Sequence, residues 1–154
     1  MKQTFVFLLP VNNITMSTSK VIYLGELRAT AEHNASGNSI VTDAPVDNHG
    51  KGQAFSPTDL AATSLASCMI TVLGIYAQNN DINMTGTHAE VTKIMSKEGP
   101  RRIIGIDVDL VIKTTAKMDD KQKQILERVA RTCPVSLSLH PDVVQNIIIN
   151  FEND

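Results

Sequence analysis

The longest run of apolar positions is Ser56 to Gln78, SPTDLAATSLASCMITVLGIYAQ. Leu60, Leu65, Met69, Ile70, Val72, Leu73, Ile75 and Tyr76 do not share one narrow stripe, so the pattern predicts a buried helix. Ser56 suits an N-cap, Pro57 the first helical position, and Asp59 puts negative charge in the first turn. Before it, Lys20 to Glu32 predicts a strand with Gly25 as a bulge or close approach. His33 to Asn38 reads as a turn and Ser39 to Thr42 as a second strand, closing an N-terminal hairpin. Asp43 to Gln53, with Pro45, Gly50 and Gly52, reads as a loop, which makes His49 and Lys51 solvated residues.

Asn79-Asn80-Asp81 breaks the helix, Gly86 to Met95 predicts a strand, and Ser96 to Pro100 a turn. Arg102 to Lys113 alternates most clearly. Ile104, Ile106, Val108, Leu110 and Ile112 fall on one face, and Gly105, Asp107, Asp109 and Lys113 on the other. That alternation predicts an antiparallel sheet with one wet face, and makes Asp107 and Asp109 solvated carboxylates. Asp119 to Thr132 predicts an amphipathic helix with acids at its start and arginines at its end. Its apolar stripe, Ile125, Leu126, Val129 and Ala130, continues to Cys133, which points Cys133 toward the core. Cys133-Pro134 then starts a short helical piece to His140, and Asp142 to Phe151 predicts a last strand. Strands, one long helix, a strand hairpin, helices and a strand together indicate an α+β fold with antiparallel sheets around a buried central helix.

Composition narrows the function classes. The 154 residues carry a formal net charge of −2 and no tryptophan. Scattered basic residues argue against a nucleic-acid partner, and no membrane partner is expected. Residues 17–154 suffice for one domain. Met1 to Met16 holds a short apolar run interrupted by Pro10, too short to span a bilayer. It is expected to be a poorly ordered extension, with Met16 as a candidate natural start. Two cysteines are too few for a disulfide-stapled scaffold, and a cytoplasmic location is expected. His33, His49 and His88 fall on separate elements, and His140 follows Cys133 by seven positions, so no compact metal-ligand spacing is formed.

The chemistry therefore rests on Cys68 and Cys133. A reactive cysteine must be a thiolate, which a helix start or nearby cations favour. Cys133 has a Cys-Pro helix start with Arg128 and Arg131 close in sequence. Cys68 lies about 18 Å from its helix start, beyond the reach of the terminal dipole. Local electrostatics nominate Cys133 as the favoured thiolate, and any activation of Cys68 must come from tertiary neighbours.

Ser56-Pro57-Thr58-Asp59-Leu60 followed by Ala66-Ser67-Cys68-Met69 resembles the central-helix motif of the OsmC/Ohr family. Arg131-Thr132-Cys133-Pro134-Val135 resembles its second-cysteine motif. The resemblance runs from about Lys20 to Phe151. It implies an OsmC-like fold, an intertwined homodimer, and thiol-dependent reduction of hydroperoxides, chiefly organic, in oxidative-stress defence. It implies that Cys68 attacks the peroxide and becomes sulfenic acid, that Cys133 resolves it as a disulfide, and that an external dithiol reductant restores both without a cofactor. Peroxidase branches carry a Glu ten residues before the first cysteine and an Arg in the N-terminal hairpin. Here Thr58 stands at the Glu position with Asp59 beside it. The hairpin turn offers His33 and Asn34, and Arg28 lies earlier. That departure supports an alternative: a homodimer that senses redox state or binds a small ligand.

Overall fold

The structure, a computed structural model, describes residues 17–115 and 117–153. The expectation for Met1 to Met16 lies outside them. The chain divides into two compact units, residues up to Ala54 and Phe55 onward.

The first unit is a three-stranded antiparallel sheet in the order β1 (Ser19–Gly25), β2 (Arg28–His33), β3 (Ser39–Asp43). The single strand expected over 20–32 is thus a hairpin folded at Gly25. Gly25 pairs with Arg28 across a turn in which Glu26 and Leu27 both have positive φ, 49° and 62°. Two such residues make the primed turn that matches strand twist, usually signalled by Asn-Gly or Asp-Gly. Leu27 donates its N–H to the Tyr23 hydroxyl, and Lys51 pairs with Glu26, which hold this unusual turn. Val21, Ile22, Tyr23, Ile40 and Val41 are exposed on this sheet, Tyr23 to 68%.

The second unit carries α1 (Pro57–Asn79), β4 (His88–Met95), β5 (Ile103–Thr114), α2 (Asp120–Arg131), α3 (Pro134–Ser138) and β6 (Val144–Asn153). The α1 start is as expected. Ser56 Oγ accepts from the Asp59 N–H while the Asp59 carboxylate accepts from the Ser56 N–H, a reciprocal cap. Asp119 and Gln122 cap α2 in the same way. β5 is the middle strand. It pairs antiparallel with β4, but parallel with β6. The return is parallel because α2 and α3 form the crossover between β5 and β6, the connection parallel neighbours require.

Helices α1 and α2 cover one face of this sheet. Leu65, Met69 and Leu73 of α1 meet Ile106, Val108, Leu110 and Ile112 of β5 and Leu126 and Ala130 of α2 in one core. α1 is not covered all round. Ala61, Ser64, Ser67, Thr71, Gly74, Ile75 and Gln78 form an exposed stripe, mostly of small side chains. α1 is long and apolar enough to cross a membrane, but its other side is core.

Candidate functional site: a half-open and a buried thiol

Cys68 sits in the middle of α1, between core-facing Leu65 and Met69 and exposed Ser67 and Thr71. It is half-buried as a result. Cys133 is the N-cap of α3 and is 0% exposed. The crossover that carries α3 back toward β6 seats Cys133 against α1. Both are free thiols, and Cys68 is close enough to Cys133 to act on its titration.

Burial pushes the Cys133 thiol above its ordinary pKa. The Ser136 backbone N–H works the other way, and the hydrogen bond and charge interaction with Cys68 add to the rise. The balance holds Cys133 toward its protonated form. This corrects the nomination made from local sequence. Arg131 sits two residues from Cys133, but its guanidinium donates to the Ile147 carbonyl of β6 at 2.8 Å, and Arg128 is exposed. Closeness in sequence did not become closeness of charge, and desolvation decides the sign.

Three further residues position the helices that carry the thiols. Ser136 donates its N–H to Cys133 Sγ at 3.4 Å. Its hydroxyl lies 2.7 Å from Gln145 Oε1, and Gln145 Nε2 donates to the Ser136 carbonyl at 3.0 Å. Gln145 begins the core-facing row of β6, continued by Ile147, Ile149 and Phe151. At the other edge of the sheet, Lys93 stands in the row of Ala89, Val91 and Met95. Its ammonium donates to Ser56 Oγ at 2.9 Å and Thr58 Oγ1 at 2.8 Å and pairs with Asp59 at 2.7 Å. Partial burial acts to raise the Asp59 pKa, but the hydrogen bonds from Lys93 and Ser56 outweigh it and hold the carboxyl below its ordinary value. None of Lys93, Ser136 or Gln145 was singled out from sequence. The signal was present: a polar side chain at an inward position of an otherwise apolar alternating row.

The remaining candidates lie elsewhere. Thr58 accepts from Lys93. Arg28, in the first unit, lies 3.8 Å from buried Asp43 and donates to Gln53 at 3.2 Å. His33 contacts Ser36, and Asn34 donates to Ser17. Asp107 and Asp109 lie on the outer sheet face and accept from Asn146 and Asn150. His140 is exposed beside Asp142. Among the described residues, no three of His, Cys, Asp or Glu gather as metal ligands would. An open hollow of about 320 Å³ runs along the C-terminal half of α1, lined by apolar Ile70, Ala77, Ile82 and Met84 and by polar Gln78, Asn83 and Thr85.

Comparison with known proteins agrees with this architecture. Residues 50–147 match the family described as OsmC-like protein. Among solved structures, a Psychrobacter arcticus protein named for osmotic stress induction and detoxification response is 53% identical. The match covers 87% of this chain and 96% of that one, with a TM-score of 0.80. An OsmC-like protein from Mycoplasma pneumoniae is 17% identical, with 86% and 94% covered and a TM-score of 0.71. An organic hydroperoxide resistance protein from Legionella pneumophila is 15% identical, with 88% and 98% covered and a TM-score of 0.64. No curated protein matches. With the family match spanning more than half its length and both cysteine motifs in place, this chain belongs to the OsmC-like family.

Proposed function

We propose that this chain reduces organic hydroperoxides through Cys68 and Cys133, in defence against oxidative stress. The observation that carries the proposal is the pairing of a half-open thiol with a buried one whose proton is held. Such a pair divides the labour. Cys68, reachable from solvent, attacks the peroxide as thiolate. Its electron pair forms an S–O bond, the O–O bond breaks, and the alkoxide leaves as alcohol after taking a proton. The product is Cys68 sulfenic acid. Cys133, too buried to meet bulky oxidants, then attacks the Cys68 sulfur as thiolate, forms the disulfide and releases water. An external dithiol returns both thiols, and no cofactor takes part. Family membership and the hydroperoxide-resistance protein among the fold neighbours support an oxidative-stress role.

The working unit is a homodimer in the cytoplasm. The exposed apolar side chains of β1 and β3 support association, because a three-stranded sheet so lined is a contact surface. The substrate class is a small hydrophobic hydroperoxide. The hollow along α1 favours a second reading, a dimer that binds a small apolar ligand or senses redox state without efficient turnover. Thr58, engaged by Lys93 where peroxidase branches carry Glu, favours it too.

The test counts free thiols on reduced protein before and after about one equivalent of cumene hydroperoxide, with Cys68→Ser and Cys133→Ser alongside. The proposal expects two thiols lost within seconds and sulfenic acid trapped on Cys68 in the Cys133→Ser protein. Thiols unchanged over minutes would sink the peroxidase and leave the ligand-binding reading.

A further inference from the structure

The geometry points to Gln145 as a positioning residue for the Cys133 sulfur: through Ser136, it sets the hydrogen bond that the sulfur receives. Gln145 and Ser136 are joined twice. The Ser136 hydroxyl meets Gln145 Oε1 at 2.7 Å, and Gln145 Nε2 meets the Ser136 carbonyl at 3.0 Å. Two bonds to one residue fix both its side chain and its backbone, and with them the direction of the Ser136 N–H. That N–H ends on Cys133 Sγ at 3.4 Å. The amide also occupies a place that packing alone would give to an apolar side chain, at the head of the row Ile147, Ile149 and Phe151 and beside Ile106 of β5.

A hydrogen bond to a sulfur favours its charged form, and the form that attacks a second sulfur is the thiolate. The groups facing Cys133 make this donor count. From α1 the titratable neighbour is Cys68, which opposes ionisation. From α2, Arg131 turns its guanidinium to the Ile147 carbonyl. Ile106 and Val108 of β5 share the apolar core with Cys133, and the β6 group tied to α3 is the uncharged Gln145. α3 contributes the backbone N–H groups of Val135 and Ser136, and these lower the Cys133 pKa. Gln145 therefore governs the second step of thiol chemistry, attack of Cys133 on Cys68, and leaves the first step alone. This deepens the two-thiol reading of Cys68 and Cys133 and rests on it, though not on peroxide as the oxidant.

The test isolates that second step. Reduced protein is treated with dithiobis(nitrobenzoate), which places a thionitrobenzoate on accessible Cys68. Cys133 thiolate then attacks the Cys68 sulfur, an S–S bond forms between the cysteines, and coloured thionitrobenzoate leaves with the electron pair. The rate of this second release is followed against pH in wild type, Gln145→Leu and Ser136→Ala, with Cys68→Ser as the reagent control. A rise of one pKa unit removes about tenfold of the thiolate at neutral pH, and the higher intrinsic nucleophilicity returns about threefold. Both variants should release the second group about threefold more slowly at neutral pH. Their profiles should be displaced upward by about one unit, and the first release should be unchanged.

Unmoved profiles in both variants would overturn the inference. So would a loss of the same factor at every pH, which marks mere scaffolding, or a wild-type protein that never gives the second release. Should Gln145→Leu fail to fold, Ser136→Ala carries the test. A wild type that gives the second release but keeps both thiols in cumene hydroperoxide would end the peroxidase proposal and leave the role of Gln145 standing.

Discussion

Lys93 and Gln145 use the same device in two electrical versions. Both stand opposite Ile106, Lys93 on β4 and Gln145 on β6, so the three residues form one row across the sheet. Each edge residue reaches from an apolar row to the start of a helix that carries a cysteine. Lys93 holds the start of α1 through Ser56, Thr58 and Asp59, and Gln145 holds the start of α3 through Ser136. The charged version grips α1 at Thr58, ten residues from Cys68 and about 15 Å away along the helix. The neutral version is two hydrogen bonds from its cysteine, through Ser136. A cation in the second place would stabilise the Cys133 thiolate and undo the effect of burial. The sheet keeps its charge where the partner is a carboxylate and keeps an amide where the partner is a thiol.

The largest break in this comparison is Ile106→Ala, which empties the space between the two edge residues. Burial of Ile106 is complete, so urea unfolding should show a loss of about 2–5 kcal/mol. Next comes Lys93→Met, which leaves Asp59 half-covered without its cation. Since Lys93 is 18% and Asp59 35% exposed, water recovers part of the loss. The expected cost is about 1–3 kcal/mol by the same assay. Gln145→Leu should cost the fold about 1 kcal/mol, less than Lys93→Met. A melting curve that reversed this order would break the comparison.

The smallest effect is one of pH. The folded-state pKa of Asp59 lies below the ordinary 3.8, so the unfolded chain takes up that proton first. The contribution is complete above the ordinary value and is lost as pH falls through the folded one, below about pH 4. Asp59→Asn should flatten that acid limb in equilibrium unfolding. An unchanged limb would mean that the Lys93 pair adds nothing to stability.

Much of this was legible in the sequence because it was local. Ser56-Pro57 announced α1 by its cap, acids at the start and arginines at the end announced α2, and the alternation over 102–113 announced β5. What failed was non-local or unmarked. Glu26-Leu27 gave no turn signal, so one strand was expected where β1 and β2 stand. The direction of β6 follows from a crossover that no single residue encodes. The setting of Cys133 was misread because two nearby arginines suggested a cation that Arg131 instead spends on Ile147. The two cysteines stood out as the chain's two thiols and took their expected roles from the family motifs, whereas Lys93 and Gln145 required asking why a row of apolar residues is interrupted.

The parallel return of β6 also sets an order of events during synthesis. Gln145 lies beyond the whole crossover, and parallel pairing closes only after α2 and α3 exist. Non-local pairing of this kind is slow compared with helix formation. A chain still emerging from the ribosome therefore holds Cys68 and Cys133 before Gln145 has been added. The Cys133 end of the thiol pair reaches the setting described above only with the final strand.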